Sequence, residues 1–210
     1  MTDTIHVLSK DNASINDPAD LTGMTQLRIG VSWDASARNK GGLIGKMSRK
    51  AGADLDLFAI VMQGNDPVRF AGLDNVNPIG DGSLVHSGDN TTGQGDGDDE
   101  TIDAFLTRLP QHVTGIIFAV AVFKNGGANK AFKDKGFEGA QNVAFSVYDA
   151  SGGEPEKCAE IWPSLLGTEN CCLVAKAWRV GASWKLAVLN EMVRITPGDQ
   201  RSLLRACLNR

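Results

Sequence analysis

The chain has 210 residues, 42% hydrophobic and 22% charged, with 24 glycines and 7 prolines. Such a length buries a substantial core, the composition excludes general disorder, and the glycine and proline content favours one turn-rich domain. A formal net charge of −4 argues against a nucleic-acid binder whose affinity rests on phosphate neutralisation, so no nucleic acid is expected as a partner.

Residues 1–8 lack a basic region followed by an apolar stretch, and no run reaches the ~18–20 apolar residues of a membrane span, so a cytoplasmic protein is expected. The first strand is predicted at 26–33, where Leu27, Ile29, Val31 and Trp33 alternate onto one face. A loop follows that carries Arg38, Lys40, Lys46, Arg49 and Lys50 with no acidic residue among them. The segment 54–63 starts with alternating polar residues and becomes continuously apolar, as expected of a strand that begins at a rim and runs through a core.

Further strands are predicted at 67–71, 83–86, 101–106, 113–123, 142–149, 171–180 and 183–189, with 124–141 a long connection. Trp178 and Trp184 flank a hairpin turn at 179–183. Past Thr196-Pro197-Gly198-Asp199, residues 200–209 place Leu203, Leu204 and Cys207 at helical spacing, a tail that docks on the sandwich or mediates oligomerisation. Many short strands without alternating helical crossovers imply a mainly all-β fold, an antiparallel β-sandwich with few short helices. The domain is placed at 1–195 and the helical extension at 196–210.

Cys158, Cys171, Cys172 and Cys207 do not have zinc-site spacing and read as buried free thiols, with the adjacent Cys171 and Cys172 aimed at opposite faces of their strand. Residues 42–48 have the wrong spacing for a phosphate loop, with Met47 at the hydroxyl position, and residues 93–98 are too acidic for a dinucleotide fingerprint. His86, Ser87 and Asp89 are the residue types of a hydrolytic triad but are too close in sequence to converge.

Residues 89–100 read Asp-Asn-Thr-Thr-Gly-Gln-Gly-Asp-Gly-Asp-Asp-Glu. Five carboxylates in twelve residues repel one another unless positive charge sits among them, and no Lys or Arg occurs between Arg69 and Arg108. A bound cation supplies that charge. Calcium, which takes many oxygen ligands in flexible geometry, suits this pliable segment better than octahedral magnesium; soft metals fit less well, because His86 is the nearby imidazole and no thiol is close in sequence. The segment is not an EF-hand, since Thr91, Gly93 and Gln94 break that pattern. The site is therefore expected to draw on several loops. Asp54 and Asp56, two apart on a strand, project from one face ~6.8 Å apart. Asp98 and Glu100 form a same-side pair if the chain is already extended there, with Asp99 turned away in a structural role.

The stretch Val85-His86-Ser87-Gly88-Asp89-Asn90-Thr91-Thr92-Gly93-Gln94-Gly95-Asp96-Gly97-Asp98-Asp99-Glu100-Thr101-Ile102 resembles the signature of the TerD family of bacterial tellurium-resistance and stress-response proteins. The resemblance extends over about residues 26–190, through Asp54-Leu55-Asp56, Gly152-Gly153-Glu154 and Trp178-Arg179 to Trp184-Lys185. It implies a β-sandwich with calcium-binding loops at one end, no catalytic residues, and work with related stress-response proteins in a cytoplasmic or membrane-associated complex. The implied ligands of one or two Ca2+ ions are Asp54, Asp56, Asp89, Asn90, Asp98 and Glu100, with backbone oxygens near Gly95 and Gly97. Gly52 stands where the family usually has a further aspartate, which bears on the number of ions. Two other readings use the same residues: a metal-dependent hydrolase, and a calcium-dependent platform for acidic lipids or phosphorylated partners that includes the basic loop.

Overall fold

The computed structural model describes residues 6–35, 55–90, 97–123, 136–137, 140–165 and 168–210. The basic loop with Arg38, Lys40, Lys46, Arg49 and Lys50, together with Gly52, Asp54 and Gly95, lies outside the described residues. In chain order the strands are β1 (His6–Leu8), β2 (Ala19–Asp20), β3 (Leu27–Ala35), β4 (Asp56–Gln63), β5 (Asp66–Ala71) and β6 (Leu84–His86). They continue as β7 (Glu100–Ala104), β8 (Gly115–Ala121), β9 (Ala140–Asp149), β10 (Glu156–Ile161), β11 (Cys171–Val180) and β12 (Ser183–Val193), followed by helix α1 (Gln200–Ala206).

Two six-stranded sheets form the sandwich. The first runs β1-β10-β9-β3-β7-β6 and the second β2-β12-β11-β8-β4-β5. Strand pairs within them are antiparallel except β1 with β10. Period-two alternation fixes which side chains enter the core: Leu27, Ile29, Val31 and Trp33 from β3 meet Leu57, Ala59 and Val61 from β4 and Ile116, Phe118 and Val120 from β8 in one buried cluster.

The continuously apolar reading of β4 and β8 has a second cause. Their outward side chains, Phe58, Ile60, Met62, Ile117, Ala119 and Ala121, are also buried, in a cluster closed by Leu203 and Cys207 of the C-terminal tail. Helix α1 thus docks on the outer face of the second sheet. Asp199 caps it, its carboxylate accepting the Arg201 N–H at 2.9 Å. Cys172 faces the inner cluster and Cys171 the outer one, as the alternation predicts. All four cysteines are free thiols; Cys158 is half-buried and the other three are buried.

Candidate metal centre

One end of the sandwich gathers the start of β4, the end of β6, the start of β7 and the end of β8. Parity decides what points inward there. Glu100 pairs across the ladder with Val31, so its side chain shares the inner face of the first sheet with that core residue. Asp56 opens β4 in the opposite sheet. Both are buried, Glu100 at 1% exposure and Asp56 at 0%. Asp89, exposed, arrives from the loop after β6. One carboxylate oxygen from each of Asp56, Asp89 and Glu100 lies within 4.8 Å of the others.

Buried carboxylates need hydrogen bonds, and backbone amides supply them. The Phe123 N–H donates to Asp56 Oδ2 at 3.0 Å. Glu100 spans the two sheets: the Leu57 N–H of β4 donates to Oε2 at 2.8 Å, and the Asn90 N–H donates to Oε1 at 3.0 Å. His86, 3% exposed, places Nε2 at 3.1 Å from the Leu57 carbonyl and 3.4 Å from Glu100 Oε2, while the Gly88 N–H donates to its Nδ1 at 2.9 Å.

Neighbouring residues fix the loop ends. The Asp99 N–H donates to the Val31 carbonyl at 2.7 Å, and its carboxylate accepts the Trp33 N–H at 3.0 Å and the Asn90 Nδ2–H at 3.1 Å. Asp99 therefore extends the β3–β7 ladder by one rung and ties Asn90 to it, a structural role.

Asp98 goes elsewhere. β7 begins only at Glu100, and Gly97 just before has φ +98°, so the chain at Asp98 does not share the strand's parity. Its carboxylate accepts the Tyr148 hydroxyl at 2.6 Å and lies directly over Gly30, where a Cβ would collide with it. Gly30 and Tyr148 belong to the outward face of the first sheet, beside the Arg28–Asp103 pair, whose two hydrogen bonds measure 2.9 and 2.8 Å. Burial, and then the hydrogen bond to Asp98, push the Tyr148 phenol up to about 12.

Of the eight residues singled out in the sequence, the structure brings Asp56, Asp89 and Glu100 together. Asn90 joins them through its backbone N–H, Gly97 supplies the turn and Asp98 sits on the other face. Asp54 and Gly95 lie outside the described residues. Sequence reasoning weighed His86 as a soft-metal donor and not as a partner of Glu100. The signal available was its place two residues before a glycine that leads into the acidic loop.

The donor set is all oxygen. Both His86 nitrogens are engaged within the protein, and the buried thiols lie on β11 and at the C-terminal cap of α1. Carboxylate clusters of this kind suit a hard cation such as calcium or magnesium, and Asp56, Asp89 and Glu100 are the residues that would hold it.

The sequence matches the TerD domain over residues 6–195. The chain belongs to the TerD family. Its curated relatives include the tellurium resistance protein TerZ of Serratia marcescens, 28% identical over 187 residues, with 87% of this chain and 88% of that protein covered. The stress response protein SCP2 of Bacillus subtilis is 27% identical, with 80% and 83% covered. Among solved structures, a homologue of telluride resistance protein (TerD) from Streptomyces coelicolor superposes with a TM-score of 0.61 at 21% identity, covering 83% of this chain and 94% of its own. That likeness supports the sandwich fold. Among the described residues, no helix of this TerD-family chain is long and apolar enough to cross a membrane.

Proposed function

We propose that this TerD-family chain is a non-catalytic, calcium-binding stress-response protein. Calcium orders the acidic loop and so modulates assembly with related proteins, including a membrane-associated complex. The supporting observation is the trio of carboxylates drawn from both sheets, two of them buried. Three such groups within 4.8 Å repel one another strongly in a medium of low dielectric, and a divalent ion among them converts that repulsion into attraction.

Because Asp56 comes from one sheet and Glu100 from the other, an ion held by both would link the sheets and fix the loop between Asn90 and Gly97. The names of the relatives, tellurium resistance and stress response proteins, support a protective role without assigning an activity. The test is thermal unfolding in chelator and in calcium. An ion that binds only the folded chain raises stability by about 2.7 kcal/mol at a hundredfold excess over Kd. No shift with calcium would end the proposal.

A further inference from the structure

We propose that His86 is a positioning residue of the cation site: its Nε2–H holds the Leu57 carbonyl, and so fixes the Leu57 N–H that carries the Glu100 carboxylate, while both ring nitrogens are kept out of the coordination sphere. The inference rests on the calcium-binding reading above. Its starting point is the backbone turn at Gly88, with φ +102°, a conformation that favours glycine. The turn aims the Gly88 N–H at His86 Nδ1, at 2.9 Å. An N–H donor there needs the Nδ1 lone pair, so the ring hydrogen resides on Nε2.

That hydrogen is donated to the Leu57 carbonyl at 3.1 Å, with Glu100 Oε2 close by at 3.4 Å. The Leu57 N–H donates to the same Oε2 at 2.8 Å. Leu57 accepts this clasp because the pairing of β4 with β5 begins only at Ala59. His86 and Glu100 from the first sheet thus take the C=O and the N–H, respectively, of one residue in the second, all in a region closed to water. The orientation of Glu100 is then set before an ion arrives, the arrangement by which groups around a metal ligand raise affinity. To ligate a metal itself, the imidazole would have to give up either the Gly88 N–H or its own proton.

A core histidine that merely bridges the sheets would share this geometry, so the test must read metal affinity separately from folding. Calcium binding is measured by calorimetry on the full chain and on His86→Phe and His86→Gln, with unfolding in chelator as the folding control. Phe keeps ring volume without a donor, and Gln restores an N–H at similar reach. The expected result is a ~10–100-fold loss of affinity for Phe, near-complete recovery for Gln, and, in nitrogen NMR of the metal-free chain, a proton on Nε2 with Nδ1 as acceptor.

Calcium binding by a folded His86→Phe variant at wild-type strength overturns this inference alone, as does a proton on Nδ1. If the Phe variant does not fold, His86→Gln decides: wild-type affinity supports the positioning role, whereas loss of affinity in a folded Gln chain makes the imidazole itself a ligand. A wild-type chain that takes no calcium sinks the calcium reading, and this inference with it.

Discussion

Glu100→Gln separates the structural work of the buried carboxylate from its role toward a cation. Both Glu100 oxygens accept a backbone N–H, from Leu57 at 2.8 Å and from Asn90 at 3.0 Å. A carboxamide keeps the shape but carries one oxygen, so its NH2 must face one of those N–H groups. That leaves a buried donor unsatisfied, which costs about 1–3 kcal/mol. In a chain of this size each kcal/mol moves Tm by ~2–4 °C. In chelator that loss opposes the relief of repulsion from Asp56 and Asp89, so Glu100→Gln should stay within a few degrees of wild type, and added calcium should no longer supply its increment. Asp89→Asn is the contrast: Asp89 is exposed and its neutralisation removes one of three mutually repelling charges, so the chelated stability should hold or rise while the calcium increment falls. Thermal unfolding followed by circular dichroism measures both. A Glu100→Gln chain as responsive to calcium as wild type would refute the reasoning.

Three further outcomes are expected. Gly30→Ala drives a methyl into the Asp98 carboxylate and should destabilise the fold by ~1–3 kcal/mol, as measured by denaturant unfolding. Tyr148 is the single tyrosine of the chain, so phenolate absorbance reports it alone; it should ionise near about 12 in the folded protein. Because the folded pKa lies above the unfolded value near 10, the associated stability is complete below pH 10 and is lost as pH rises towards about 12. Leu203→Ala, at a fully buried position of α1, should cost ~2–5 kcal/mol by the same unfolding assay, which would confirm that the tail is part of the core.

Burial pushes the Cys171 thiol well above its usual range and those of Cys172 and Cys207 up to about 12. These three should resist a thiol reagent near neutral pH until the chain unfolds.

Strands with one face in the core were legible because alternation survives in them, as at Leu27, Ile29, Val31 and Trp33 in β3. The hairpin between β11 and β12 was legible from its turn residues. β10 was not: Glu-Lys-Cys-Ala-Glu-Ile buries only Ala159 and Ile161, and its strand character comes from pairing with β9 and β1. β1 and β2, of three and two residues, are likewise set by their neighbours rather than by local pattern.

At the site, Asp56 and Glu100 could be found because the acidic residues open strands whose faces are fixed by the core. The side taken by Asp98 could not be read from spacing, since it depends on the turn at Gly97 and on the notch at Gly30 opposite Tyr148. The His86 clasp was hidden for a related reason: its partner is a peptide in the other sheet, 29 positions away in sequence.

The central claim is most directly tested by native mass spectrometry of the full chain titrated with calcium, counting ions per chain. One or two bound ions are expected for wild type, with the ion shared by the three carboxylates lost in Asp56→Asn and in Glu100→Gln. A chain that stays free of calcium throughout the titration, or whose variants carry the same number of ions as wild type, would contradict it.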